Sequence, residues 1–105
     1  FTFVDDAVTA NLLAAGVPSK ASGGVYNVAP GRRTTVKELA LLILDVCHSS
    51  APVECLPERP GDVRHSQADG SKAREAFAYE AQWNLRDALA VAGRFYETSA
   101  ATRAS

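Results

Sequence analysis

The sequence predicts a small α+β domain in which three or four helices pack against a few short strands. Strand-forming residues gather in three short segments, at 1–4, 24–28 and 52–56, of which the last is the weakest. Two longer segments repeat apolar residues at helical spacing behind polar capping residues, at 35–46 and from 84 onward. The 105-residue length fits one domain, and no internal repeat points to a second.

The composition is that of a soluble globular protein, with 47% hydrophobic and 22% charged residues. A formal net charge of −1 gives no reason to expect a nucleic acid or an anionic membrane as partner. No apolar run could span a bilayer, and no signal peptide is recognisable. Cys47 and Cys55 lack further Cys or His residues at metal-ligand spacing. We therefore expect a cytoplasmic protein with reduced thiols and no metal site.

The first segment, Phe1 to Val4, alternates apolar and polar residues and reads as a strand. A natural amino terminus rarely begins inside a strand, so we expect further sequence upstream. Asp5 or Asp6 is predicted to cap a helix that runs to about Ala15. Gly16 is predicted to end that helix.

Local capping signals predict the remaining helices. Thr35 and Glu38 have the spacing of a capping box, and the apolar stripe that follows predicts the clearest helix of the chain. Asp69 is predicted to cap a short helix over 71–77. Asn84 is predicted to cap a last helix from Leu85, and the small, polar residues 98–105 are predicted to form a disordered tail.

The densest polar segment of the chain is 58–66, which carries charges of both signs in a loop. Arg59 offers a planar fork of donors for phosphate oxygens, and Asp62 can accept hydrogen bonds from sugar hydroxyls. Pro60 and Gly61 between them favour a tight turn that brings both side chains near one point. A solvated turn with a surface ion pair is the commoner explanation of such a segment, and the residues alone leave both interpretations open.

Other polar residues give weaker indications. Arg32 and Arg33 precede a helix amino terminus, where an anion could bind, but a solvated loop is the simpler interpretation. His65 has no carboxylate or nucleophile at a fixed spacing, which argues against acid–base chemistry. Lys72 reads as part of a solvated helix face. Neither a nucleophile elbow nor a glycine-rich phosphate loop is present.

Three blocks of the sequence, taken in order and spacing, resemble the carboxy-terminal third of the extended short-chain dehydrogenase/reductase family. The blocks are Phe1-Thr2-Phe3-Val4-Asp5-Asp6, then Val25-Tyr26-Asn27-Val28, then Arg59-Pro60-Gly61-Asp62-Val63-Arg64-His65-Ser66. The resemblance is nearest to the UDP-glucose and UDP-N-acetylglucosamine 4-epimerases. It covers residues 1–97 and implies that they form the nucleotide-sugar-binding domain of such an enzyme, without its Rossmann domain.

The resemblance implies an NAD-dependent parent enzyme, expected to be a homodimer, in which NAD takes a hydride from C4 of a UDP-sugar and returns it to the opposite face. The family holds NAD with a Gly-x-x-Gly-x-x-Gly turn and moves the C4 hydroxyl proton with a Tyr-x-x-x-Lys pair. This chain contains neither motif, so it should hold no catalytic and no cofactor-binding residue, and should be inactive alone.

The resemblance also assigns three substrate-binding residues. Arg59 matches the family arginine that contacts the UDP diphosphate, and Asp62 matches the carboxylate that contacts the ribose. Ser66 matches the position beside the C2 substituent of the sugar, where a small side chain admits an N-acetyl group. The resemblance therefore implies that the parent accepts UDP-N-acetylhexosamines or their uronic acids.

Two other interpretations remain open at the level of sequence. Nucleotide-sugar dehydratases and decarboxylases have similar carboxy-terminal regions. A free-standing α/β binding module without catalysis is the alternative from another class of protein.

Overall fold

The structure is a computed structural model that describes residues 1–104, and its regular secondary structure over those residues consists of helices. Its elements are α1 (Val4–Ala15), a 3-10 helix (Ser19–Ala21), α2 (Val36–Val46), α3 (Ser71–Phe77) and α4 (Leu85–Arg103). No residue from 1 to 104 belongs to a strand. The predicted α+β class is therefore wrong in its strands.

The segments predicted as strands contain strand-forming residues but find no neighbouring strand. A β-ladder requires a second extended chain to accept and donate its backbone hydrogen bonds. Phe3 is extended, with φ −74° and ψ 145°, but α1 begins at the next residue. In the segment 24–28, the Val25 carbonyl accepts from the Lys72 ammonium, Nζ to O 2.8 Å, instead of from a backbone N–H. Residues 1–3, 24–28 and 52–56 therefore belong to no helix or strand.

Helix α1 begins at Val4, so the prediction that Asp5 or Asp6 caps it is wrong. The N-cap residue is Phe3, which contributes no side-chain hydrogen bond, and both aspartates lie in the first turn. Gly16 occupies the C-cap as predicted. Because Asp6 is not used as a cap, its carboxylate is available for contacts elsewhere in the chain.

The capping box of α2 is confirmed. The Thr35 hydroxyl accepts from the Glu38 backbone N–H at 3.1 Å, and the Glu38 carboxylate accepts from the Thr35 N–H at 2.7 Å. The same bonds lower the pKa of the Glu38 carboxyl, with the Thr35 backbone N–H as the larger cause.

The short helix predicted over 71–77 is confirmed as α3. Gly70 is its N-cap residue, and the preceding Asp69 carboxylate accepts from the Ser71 N–H at 2.9 Å. This hydrogen bond is the main cause of a lowered pKa for the Asp69 carboxyl. The helix ends at Ala78, which has a left-handed φ of 55°.

Helix α4 begins at Leu85 with Asn84 as its cap, as predicted. The Asn84 side-chain oxygen accepts from the Asp87 N–H at 2.9 Å. The helix continues to Arg103, so most of the segment 98–105, expected to be a disordered tail, is helical; Ser105 lies outside the described residues.

The chain divides into two compact units. The first unit comprises Phe1–Arg33 and Arg64–Trp83, and the second comprises Thr34–Val63 and the residues from Asn84 onward. In the first unit, α1 and α3 share a small core whose buried members are Ala10, Ala73 and Tyr79, with Tyr26, Val28, Phe77 and Ala81 packed around them. In the second unit, α2 packs against α4.

Candidate functional site

A tight turn in the second unit brings Arg59 and Asp62 together. The Asp62 N–H donates to the Arg59 carbonyl at 3.3 Å, and Gly61 adopts a φ of +88° that a residue with a side chain rarely takes. The Arg59 Nε lies 3.5 Å from Asp62 Oδ2. The sequence prediction that Pro60 and Gly61 would hold these two side chains near one point is therefore confirmed.

Both members of this ion pair remain accessible to a ligand. The Arg59 side chain is 85% exposed and the Asp62 side chain 52%. An exposed pair of this kind contributes little to stability, commonly below about 1 kcal/mol. Because Asp62 approaches the Nε edge of Arg59, the terminal nitrogens of the guanidinium stay available for an oxyanion.

Ser66, the third predicted site residue, lies in the first unit and is exposed. The side chains on either side of it bond to the segment 31–33. Gln67 Nε2 donates to the Gly31 carbonyl at 3.1 Å, and Arg33 Nη2 lies 2.9 Å from His65 Nδ1. Two side-chain contacts thus fix the backbone on which Ser66 is carried.

The Arg33–His65 contact was missed at the level of sequence, where both residues were interpreted separately. They are 32 positions apart, so no local pattern relates them. Arginine can only donate, so a hydrogen bond between these two atoms has His65 Nδ1 as its acceptor. His65 therefore has a partner, although not the carboxylate or nucleophile that acid–base chemistry would require.

Hydrogen bonds join the amino-terminal part of α3 to the segment 25–29, and Lys72 makes the main contact. Besides its bond to the Val25 carbonyl, the Lys72 Nζ lies 4.8 Å from the centroid of the Tyr26 ring, a cation–π distance. Asn27 Nδ2 donates to the Asp69 carbonyl at 3.4 Å. Lys72 is thus exposed on α3, as interpreted from the sequence, but its ammonium also has two partners within the chain.

The start of α3 lies close to the segment 25–29, and this explains why a glycine, Gly70, suits the start of the helix. A Cβ placed on Gly70 would lie 3.3 Å from the Ala29 carbonyl oxygen. A larger residue would push the start of α3 away from the segment 25–29. Gly70 is the N-cap residue and lies outside the helix interior, so glycine carries no helix-propensity cost there.

Asp6 is the most buried charged residue described, with 2% of its surface exposed. Its carboxylate accepts from the backbone N–H groups of Gln82 and Trp83, at 2.8 and 3.3 Å. The Phe3 and Trp83 rings lie beside this contact, with centroids 4.7 Å apart. Asp6 therefore joins the start of α1 to the segment that precedes α4.

Tyr79 is buried in the core of the first unit, with 2% of its surface exposed. Burial, with a smaller contribution from the charge of Asp6, raises the pKa of the Tyr79 hydroxyl. The hydroxyl has no hydrogen-bond partner among residues 1–104. These properties fit a core residue better than a proton donor.

Within residues 1–104, no three His, Cys, Asp or Glu side chains are grouped as a metal site would require. Cys47 and Cys55 are free and exposed. Among the helices of these residues, none has the length and hydropathy needed to cross a bilayer.

The known proteins to which this chain is similar are UDP-sugar 4-epimerases. The chain is 34% identical over 97 residues to the UDP-glucose 4-epimerase of Mycolicibacterium smegmatis, a match that covers 91% of this chain and 30% of that protein. It is 32% identical over 97 residues to UDP-arabinose 4-epimerase 1 of Arabidopsis thaliana, covering 88% of this chain and 22% of that protein. Over 70 residues it is 36% identical to the UDP-glucose 4-epimerase of Dictyostelium discoideum. No protein-family model matches the chain.

These matches confirm the resemblance to the UDP-sugar 4-epimerases, and the chain is a homologue of part of such an enzyme. It spans between about a fifth and a third of the length of the relatives named above. The names of these relatives give UDP-glucose and UDP-arabinose as substrates, so they do not support the particular resemblance to enzymes for UDP-N-acetylglucosamine.

Proposed function

We propose that this chain is the nucleotide-sugar-binding, carboxy-terminal part of an NAD-dependent UDP-sugar 4-epimerase. The observation that carries the proposal is the similarity to UDP-sugar 4-epimerases along about nine-tenths of the chain. The exposed Arg59–Asp62 turn supports it, because a cation and a carboxylate held together suit a ligand with phosphates and hydroxyls.

Within the proposal, the terminal nitrogens of Arg59 bind an oxygen of the UDP diphosphate. Asp62 accepts hydrogen bonds from the ribose hydroxyls. The turn, closed by the hydrogen bond from the Asp62 N–H to the Arg59 carbonyl, keeps the two residues close together before the ligand arrives, which reduces the entropy lost on binding. The positive φ of Gly61 is needed to keep the turn in this form.

Ser66 is proposed to lie beside the C2 substituent of the sugar. A serine leaves room for an N-acetyl group that a bulky side chain would exclude. The residues on either side of Ser66, His65 and Gln67, bond to the segment 31–33. The proposed enzyme therefore accepts UDP-N-acetylhexosamines as well as smaller UDP-sugars.

When bound, NAD would supply the hydride chemistry of epimerisation. The chain has neither a Gly-x-x-Gly-x-x-Gly turn nor a Tyr-x-x-x-Lys pair. We propose that both belong to another part of the parent enzyme, and that the residues described here only bind and orient the sugar nucleotide.

Incubation of the full-length protein with UDP-glucose and NAD tests the proposed activity. An epimerase produces UDP-galactose with the same mass as the substrate, which chromatography separates from it. A dehydratase would release one water and leave a lighter keto sugar, and a decarboxylase would leave UDP-glucose unchanged but release CO2 from UDP-glucuronate. Either of these results, or no turnover of UDP-glucose, UDP-arabinose and UDP-N-acetylglucosamine, would contradict the proposal.

A further inference from the structure

Helix α1 carries apolar residues on two opposite sides. One side includes the buried Asp6 and Ala10, and Ala10 belongs to the core of the first unit. On the other side every fourth residue is apolar, at Val4, Val8 and Leu12. Asp6 follows Val4 by two positions, which corresponds to about 200° of rotation around a helix. We call the second side the outer face of α1 and define it by Val4, Val8 and Leu12.

The outer face of α1 is exposed in the part of the chain that the structure describes. Each of its three residues keeps between 50% and 72% of its surface accessible, and Phe1, just before the helix, is exposed as well. Single exposed apolar residues are ordinary, whereas a contiguous row of them marks an interaction site. A helix that is apolar on both sides is typically covered on both. The outer face therefore fits a contact with another apolar surface.

The borders of the outer face are polar, so the face is narrow. Asp5 and Thr9 lie along one border and Asn11 along the other, and all three are exposed. One Asn11 amide N–H already donates to the Ala7 carbonyl at 2.9 Å, which lowers the cost of covering that border. Three aliphatic side chains offer much less than the roughly 800 Å² per partner that a stable complex of two separate chains buries. A second copy of the chain is therefore a poor occupant for this face alone.

We propose that the outer face of α1 packs against an apolar surface of the amino-terminal part of the same enzyme molecule. The inference rests on the proposed function only in taking the chain as the carboxy-terminal part of a longer enzyme. The chain spans 30% of the Mycolicibacterium smegmatis relative and 22% of the Arabidopsis thaliana relative, so most of such an enzyme lies outside it. A contact within one molecule needs little area, because the covalent connection gives a high effective concentration. In the proposed parent this connection enters at Phe1, three positions before Val4.

Thiol alkylation of the full-length protein tests whether the outer face is covered. Val8→Cys places a thiol on the face, and Thr9→Cys places one on its polar border in the same turn of the helix. Peptide mass spectrometry separates both thiols from those of the free Cys47 and Cys55. The Val8→Cys thiol should react at least about 10-fold more slowly than the Thr9→Cys thiol, because alkylation requires exposure. Equal rates would overturn the inference, since the face would then be open in the complete enzyme.

Photo-cross-linking identifies the surface that covers the face. A photoreactive phenylalanine analogue replaces Leu12 in full-length protein, prepared as a mixture of normal and isotopically heavy chains. The cross-link should join position 12 to a residue that precedes Phe1, and both linked peptides should carry the same isotope. Links between normal and heavy peptides would overturn the inference, because a second copy would then cover the face. Links confined to residues 1–105 would overturn it as well.

Failure of the proposed function gives a different result from failure of this inference. Both measurements are made without a ligand, whereas calorimetric titration of the unaltered full-length protein with UDP reports on the proposed binding site. Slow alkylation of Val8→Cys without UDP binding would support the inference and contradict the proposed function. Binding of UDP with equal alkylation rates at the two positions would do the reverse.

Discussion

The Asp6 carboxylate accepts a hydrogen bond from the Gln82 backbone N–H at 2.8 Å, across 76 positions of the chain. Its second oxygen accepts from the Trp83 N–H, so both oxygens are used inside a site that is nearly closed to solvent. A buried carboxylate is costly unless such donors satisfy it. The contact therefore joins the two segments that make up the first unit.

Replacing Asp6 by alanine should leave two buried N–H groups without acceptors. We expect a loss of roughly 2–4 kcal/mol in the free energy of unfolding, from two hydrogen bonds to a charged group. Fluorescence of Trp83, the sole tryptophan, would report the change during urea unfolding because its backbone N–H is one of the donors. The exposed neighbour provides the control, and Asp5→Ala should cost below about 1 kcal/mol. Equal effects at the two positions would contradict this role for Asp6.

Ala78 ends α3 with a left-handed φ of 55°, a conformation that favours glycine. Ala78→Gly should therefore raise the free energy of unfolding by about 1 kcal/mol, since it relieves the clash of the alanine Cβ. Ala100→Gly is the matched control inside α4, where the same exchange should lower stability by about 1 kcal/mol. Thermal unfolding followed by circular dichroism measures both. A decrease for Ala78→Gly would refute the left-handed conformation.

Because of the capping box of α2, part of the free energy of unfolding of the protein should depend on pH. The Thr35 hydrogen bonds lower the pKa of the Glu38 carboxyl from its ordinary value of 4.5, so the ionised form stabilises the folded state. This contribution should be fully present above the unfolded pKa of 4.5 and lost as the pH falls through the lower folded value. Titration of the Glu38 carboxyl carbon, followed by NMR, measures the pKa of Glu38 in the folded protein. Thr35→Ala removes the hydroxyl but keeps the backbone N–H that is the larger cause, so the pKa of Glu38 should rise only part of the way toward 4.5. A full return to 4.5 would contradict the backbone N–H as the main cause.

Ser66→Tyr should narrow the proposed sugar site in the full-length protein. We expect turnover of UDP-N-acetylglucosamine to fall at least about 10-fold while turnover of UDP-glucose stays within about 3-fold, because a pocket discriminates by the group it must exclude. Steady-state kinetics with both substrates provide the comparison. If both rates fell together, the substitution would have damaged the fold or the diphosphate site, and Ser66 would not select the sugar.

Helices signalled by residues three positions apart could be predicted from the sequence. The Thr35–Glu38 and Asn84–Asp87 pairs define the starts of α2 and α4 correctly because each cap acts within its own turn. The strands could not be judged in this way, since a strand depends on a partner far along the chain. Residues 24–28 have the right composition, but the Val25 carbonyl bonds to the Lys72 side chain and not to a neighbouring strand.

The candidate site shows the same division. The Arg59–Asp62 turn was predictable because Pro60 and Gly61 lie between the two residues and constrain the backbone locally. The contacts that surround Ser66 could not be predicted from the sequence. Arg33 and His65 are 32 positions apart, and no local sequence pattern marks either residue. Asp6 was assigned to a local cap for the same reason, although its partners lie near the other end of the chain.

Binding of UDP to the full-length protein, measured by calorimetry for Arg59→Ala and Arg74→Ala, tests the proposed nucleotide-sugar site most directly. Arg74 is a matched control because its Nε also contacts a carboxylate, that of Glu80, at 3.6 Å on an exposed surface. Arg59→Ala should weaken UDP binding roughly 10- to 100-fold through the loss of a charge-assisted contact to the diphosphate, and Arg74→Ala should leave it within about 2-fold. Equal affinities of the Arg59→Ala variant and the unaltered protein would contradict the proposed site.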